Sequence, residues 1–117
     1  DIDKAIRLLI NSSVDSVVAV TKSDVHPYRT LAINGNGFLE HFDPKSPEDK
    51  IPIRRQELSP VYMRTGAIYA TMREVIEQGS LWGQRSIPYV MPKKRAVNVN
   101  DEIDFFLAEQ LILRKRI

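Results

Sequence analysis

Asp1–Thr21 reads DIDKAIRLLINSSVDSVVAVT, and a change of period inside this stretch sets the fold class. Ile2, Ala5, Ile6, Leu9 and Ile10 recur at helical spacing, with Asp1 and Asp3 near the positive end of the helix dipole. The polar run Asn11-Ser12-Ser13 marks where that helix stops. Ser16–Thr21 (SVVAVT) is then almost continuously apolar and rich in β-branched residues, the pattern of a strand buried on both faces, as in a parallel sheet. A helix feeding such a strand is half of a βαβ unit. The expectation is an α/β fold whose preceding strand lies upstream of Asp1.

Downstream, Arg29–Ile33 and Phe38–Phe42 flank Asn34-Gly35-Asn36-Gly37. Asn-Gly is a strong hairpin signal because both residues tolerate positive φ. Asp43–Pro52 is rich in proline and charge and reads as a loop or exposed arm. Ala67–Ala70 is a further strand. Thr71-Met72-Arg73-Glu74 fits a capping box opening a short helix that Gly79 would close. Ile87–Met91 and Ala96–Val99 are extended segments. Asn100 suits the N-cap of a last helix with Ile103, Phe106, Leu107 and Leu111 on its apolar face.

With 117 residues, 43% of them hydrophobic, the chain makes one ordinary domain at most. Seventeen basic residues against 15 acidic ones leave a formal charge of +2, too balanced to point to nucleic acid. The clusters Lys93-Lys94-Arg95 and Arg114-Lys115-Arg116 are short enough to be solvated loop and helix ends. Without cysteine there are no disulfides and no thiolate metal sites. No apolar run is long enough to span a bilayer and no signal-peptide layout is present, so a soluble cytoplasmic protein is the default.

Several residues could hold a ligand. Arg54-Arg55-Gln56 offers guanidinium forks that match a carboxylate bidentately. Gly66-Ala67-Ile68-Tyr69 combines a side-chain-free backbone with a tyrosine that presents both a ring and a hydroxyl. His26-Pro27-Tyr28-Arg29 follows the strand at Ser16–Thr21, and ligands in open α/β sheets sit beyond strand C-terminal ends. His26 therefore invites comparison with a general base, although a loop histidine is more often structural. Trp82, the sole tryptophan, lies in Ser80-Leu81-Trp82-Gly83 and suits a surface that is apolar on one side and wet on the other. If Ala96–Val99 is a strand, alternation places Asn98 and Asn100 on one face.

Arg54–Tyr69 (RRQELSPVYMRTGAIY), read with Ala96–Asp104 (AVNVNDEID), resembles the C-terminal half of the acylneuraminate cytidylyltransferases, which attach CMP to sialic acid and related nonulosonic acids. The resemblance covers nearly the whole chain. It implies a Rossmann-like nucleotidyltransferase fold of the nucleotide-diphospho-sugar transferase type, with a mixed sheet and a dimerisation arm at Asp43–Pro52. Residues 1–117 would be the C-terminal portion of a single cytidylyltransferase domain, with the N-terminal CTP-binding portion outside this chain and the segment inactive alone. The implied reaction joins CTP and a nonulosonic acid to give CMP-sugar and pyrophosphate, in a homodimer.

By the same resemblance, Arg29, Arg55, Gln56, Tyr69 and Trp82 are the substrate-binding residues. Trp82 would meet a partner subunit's pocket or pack at the dimer interface. The family usually carries Asp where this chain has Asn98 and Asn100. With Asp104, those positions are the implied Mg²⁺ ligands, and neutral amides hold a hard cation much more weakly than carboxylates. Thr65 stands where the family usually has Asn before the glycine. No catalytic residue is assigned. The alternatives are a catalytically degenerate sugar-acid-binding or dimerisation module, and a sister 3-deoxy-octulosonate cytidylyltransferase; RRQ…GAIY favours the acylneuraminate type over the latter.

Overall fold

Helix α1 (Ile2–Ser12) ends at Ser13, whose φ of 51° turns the chain out of the helix. Strand β1 (Ser16–Lys22) follows at once, buried along nearly its whole length. The computed structural model describes residues 1–48 and 52–117. They form an α/β arrangement in two compact units, residues 1–22 with 63–117, and residues 23–62.

In the first unit β1 is the middle strand of three. It pairs in parallel with β5 (Ser86–Val90), Ser16 opposite Ser86 and Val20 opposite Val90. Its other neighbour is β4 (Tyr62–Thr71). The Thr65 hydroxyl donates to the Ala19 carbonyl, and the Met72 amide donates to the Asp15 carbonyl. As one strand ascends the other descends, so β4 is antiparallel and the sheet is mixed. Successive residues of β1 are buried, so both of its faces are shielded from water, which accounts for its unbroken apolar run.

The core is Ala5, Leu9, Val14 and Val17, with Leu8, Ile68, Ala70, Ile87 and Tyr89 packed against it. The apolar set expected on α1 is therefore divided. Ala5 and Leu9 face the sheet, whereas Ile2, Ile6 and Ile10 remain exposed. Asp1 occupies the N-cap position without capping through its side chain. Its carboxylate instead accepts hydrogen bonds from the Tyr89 hydroxyl (2.8 Å) and from Arg95 Nε (3.1 Å).

Strand β4 is longer than the expected Ala67–Ala70, because it runs through the positive-φ residue Gly66. Helix α2 (Arg73–Glu77) does not open with a capping box on Thr71. Met72 is its N-cap, and the Thr71 hydroxyl donates instead to the Leu81 carbonyl. Gly79 closes the turn after α2 as expected, at φ 82°. Residues 96–99 belong to neither sheet. Pro92 instead leads into a tight turn over Lys93–Arg95, in which the Arg95 and Ala96 amides donate to the carbonyls of Pro92 and Lys93.

Helix α3 (Glu102–Leu113) is capped by Asp101 rather than Asn100. Asp101 Oδ1 accepts from the Asp104 amide at 2.8 Å, and Asp104 Oδ2 accepts from the amide of Asn100, the residue before the cap, at 3.0 Å. A carboxylate one residue nearer the helix wins this role because its charge also meets the positive end of the dipole. None of α3's described residues is buried; Ile103, Phe106 and Leu107 are exposed.

In the second unit β2 (Leu31–Ile33) and β3 (Leu39–His41) form the expected hairpin, Leu31 opposite His41. Its turn differs from the Asn-Gly reading. Gly37 alone takes positive φ, 82°, and the Asn34 carboxamide oxygen accepts from the amides of Asn36 and Phe38. The Asn34 carbonyl accepts from Gly37, and the Asn34 amide donates to Phe38. This is a tight turn followed by a left-handed glycine, so Asn34 contributes its side chain as an acceptor and not its tolerance of positive φ. Ser23 and Val61 close the ends of the unit through a backbone hydrogen bond. Of the expected arm, residues 49–51 lie outside the described residues. Ser46 is buried and its hydroxyl donates to the Tyr28 carbonyl.

Candidate functional site

The expected ligand-binding residues fall in both units. In the second unit, Arg29 ends a single tight turn, Pro27–Arg29, whose N-cap is His26. His26 Nδ1 accepts from the Tyr28 amide at 3.1 Å, and the two rings lie 4.9 Å apart. That nitrogen is already engaged with backbone, so His26 serves the turn. Arg55 and Gln56 lie in a second tight turn, Arg55–Glu57. The Arg55 guanidinium is ion-paired with the Asp24 carboxylate, both side chains being largely exposed, 61% and 45%. Asp24 was not anticipated. It lies 31 residues from Arg55, and no local spacing rule connects them.

In the first unit, two features read separately in the sequence come together on β4. Gly66 has φ 75°, and a Cβ built on it would lie 3.7 Å from the Asn98 amide nitrogen. The Asn98 carboxamide therefore rests over bare backbone of β4. Thr65 beside it is buried, 5% exposed, and its hydroxyl donates to the Ala19 carbonyl while accepting from the Ala67 amide. Thr65 thus locks the strand to β1 at the point where Gly66 bends it.

Further along β4, Tyr69 meets Trp82 edge-to-face, with centroids 6.0 Å apart and planes at 88°. Trp82 remains 43% exposed, so the pair forms a half-open aromatic corner. Its loop is held closely. Ser16, completely buried, donates its hydroxyl to the Trp82 carbonyl at 2.7 Å. Asp15 Oδ2 accepts from the amides of Gln84 (2.8 Å) and Arg85 (3.0 Å). Those amides, Arg85 first and then Gln84, hold the Asp15 carboxyl below the usual carboxylate range, with the Arg85 charge assisting and desolvation opposing. Asp15 and Ser16 were missed as site residues because they act on a loop about 70 positions away in sequence.

Asn98, Asn100 and Asp104 are neighbours, but not on a strand face. Asn100 Nδ2 reaches the Asn98 carbonyl only at 3.5 Å, and Asp104 is occupied by the Asn100 amide. Among the described residues no group of three or more His, Cys, Asp or Glu side chains could hold a metal ion. Two neutral amides and one carboxylate committed to a helix cap do not fit a hard divalent cation such as Mg²⁺.

The chain is 30% identical over 111 residues, 95% of its length, to N-acylneuraminate cytidylyltransferase A of Danio rerio, of which the match covers 25%. It is 28% identical over 105 residues to the N-acylneuraminate cytidylyltransferase of Streptococcus agalactiae, covering 89% of this chain and 24% of that protein. In sequence, the chain is similar to acylneuraminate cytidylyltransferases over nearly its whole length. It spans about a quarter of the length of the curated relatives it matches. No protein-family model matches it. Among the described residues no helix is long and apolar enough to cross a membrane.

Proposed function

We propose that this chain is part of a Rossmann-like nucleotidyltransferase domain that activates a nonulosonic acid with CTP in the cytoplasm. The anomeric hydroxyl attacks the α-phosphate of CTP. A carbon-bound oxygen gains a bond to phosphorus, the bond between α- and β-phosphates breaks, the hydroxyl proton passes to solvent or base, and pyrophosphate leaves. The observation that carries this reading is similarity over 95% of the chain to a protein of that name. In this reading Arg55 takes the sugar's carboxylate, with Arg29 and Gln56 supporting it, and Tyr69 and Trp82 contact the sugar. The Arg55–Asp24 pair is exposed, and exposed ion pairs are worth little, so exchanging Asp24 for a substrate carboxylate costs little. A homodimer, with residues 43–52 as its arm and Trp82 near the interface, belongs to the same proposal.

Arg55→Lys tests it in the full-length protein. Loss of the planar fork should weaken sugar-acid binding by roughly 1–3 kcal/mol, or roughly 5- to 150-fold in KM, with the KM for CTP unchanged. An unchanged sugar KM would remove Arg55 from the site.

A second reading is a degenerate member that binds the sugar acid without turning it over. It is favoured by the helix-cap commitment of Asp101 and Asp104. Pyrophosphate release is the measurement that separates the two. Turnover in the unaltered full-length protein that Asn98→Asp with Asn100→Asp does not raise would exclude degeneracy.

A further inference from the structure

Five consecutive residues present Trp82, and each is tied to residues outside the run. The Leu81 carbonyl accepts from the Thr71 hydroxyl (2.7 Å), and the amides of Trp82 and Gly83 donate to Ser80 Oγ (3.2 and 2.8 Å). The Trp82 carbonyl accepts from Ser16, and the amides of Gln84 and Arg85 converge on Asp15 Oδ2. Asp15 also works through its backbone, donating its amide to the Arg85 carbonyl (2.9 Å) and accepting the Met72 amide (3.0 Å). It thus joins the start of β1, the end of β4 and the loop before β5. Gly83 makes the approach possible, because a Cβ there would lie 2.4 Å from Asp15 Cβ. Two amides on one carboxylate oxygen are charge-assisted bonds with fixed direction, which suits them to setting a loop's angle.

We propose that Asp15 is a positioning residue. Its carboxylate fixes residues 81–85 so that Trp82 stands edge-to-face with Tyr69, and the aromatic corner is preset for the sugar ring. The role of the corner rests on the function proposed above; the positioning does not. Asp15 touches no substrate and acts through Trp82. An ordering cost that would otherwise fall on substrate binding is met when the chain folds.

The experiment uses the full-length protein, with the Trp82 signal assigned by difference from Trp82→Phe. Asp15→Ala should shift Trp82 emission to the red and lower its anisotropy, while far-UV circular dichroism stays as in the parent. Asp15→Asn keeps the shape and one acceptor oxygen but loses the charge, and should fall between the two. The sugar-acid KM should rise about tenfold in Asp15→Ala, with kcat and the KM for CTP within about twofold, since one charged anchor is lost. A spectral shift without a KM change supports the positioning and removes Trp82 from the sugar site. A Trp82 spectrum unmoved in Asp15→Ala overturns the proposal. So does loss of the whole circular dichroism signal in both variants, which would make Asp15 a residue of global folding.

Discussion

Gly66, Gly79 and Gly83 share a left-handed backbone and differ in what surrounds them, so alanine at each separates backbone strain from crowding. Gly79 (φ 82°) has nothing within 4 Å of an added Cβ; Gly66 (φ 75°) has the Asn98 amide at 3.7 Å; Gly83 (φ 68°) has Asp15 Cβ at 2.4 Å and Oδ2 at 2.7 Å. Placing a Cβ in this region costs about 1–2 kcal/mol on its own. Gly79→Ala and Gly66→Ala should therefore each destabilise by about that amount, because 3.7 Å is an ordinary contact. At Gly83 the new carbon sits more than about 1 Å inside the usual 3.5–4.0 Å carbon–carbon separation. Relieving it moves the Asp15 side chain off the amides of Gln84 and Arg85. Overpacking of this kind adds roughly 1–3 kcal/mol, so Gly83→Ala should cost about 2–5 kcal/mol in total. The assay is urea unfolding followed by far-UV circular dichroism, with the midpoint shift converted through the m-value. A Gly83→Ala midpoint equal to or above that of Gly79→Ala would refute the close packing of Asp15 on this loop.

Thr65→Val removes a buried hydroxyl that serves both the Ala19 carbonyl and the Ala67 amide; it should destabilise by roughly 1–3 kcal/mol in urea, while Thr65→Ser stays near the parent. Asp101→Ala deletes the acceptor for the Asp104 amide; it should cost about 1 kcal/mol and speed hydrogen exchange in the first turn of α3, with the sheet amides unchanged. On acidification, Asp15 has its folded-state value depressed, so its stabilising contribution is complete above the unfolded carboxylate value of roughly 3.9 and is lost as pH falls through the lower folded value. Trp82 fluorescence should therefore be flat from roughly pH 5 to 8 and change only below about pH 4, a change that Asp15→Ala abolishes.

Much of the fold was legible because it depends on periods and on residues close in sequence. The helix stopping at Asn11-Ser12-Ser13, the strand at Ser16, the hairpin around Asn34–Gly37 and the turn at Gly79 follow from local backbone preferences and from burial on one face or two. The misreadings share one cause. Thr71, Asn100 and Ala96–Val99 each carry a fitting local signal, but the outcome rested on competition with distant groups. The Leu81 carbonyl takes the Thr71 hydroxyl, Asp101 supplies a stronger cap than Asn100, and 96–99 finds no strand to pair with.

By itself the sequence determined the α/β class, a strand buried on both faces and the motifs that resemble the acylneuraminate cytidylyltransferases, because apolar period and residue type are written along the chain. Only the tertiary structure decided that Asn98 lies over Gly66, that Tyr69 meets Trp82, and that Asp15 and Ser16 hold the loop between them. Those contacts join residues far apart in the chain across a mixed sheet. Side-chain reach and strand register settle them, and neither is encoded at any fixed spacing.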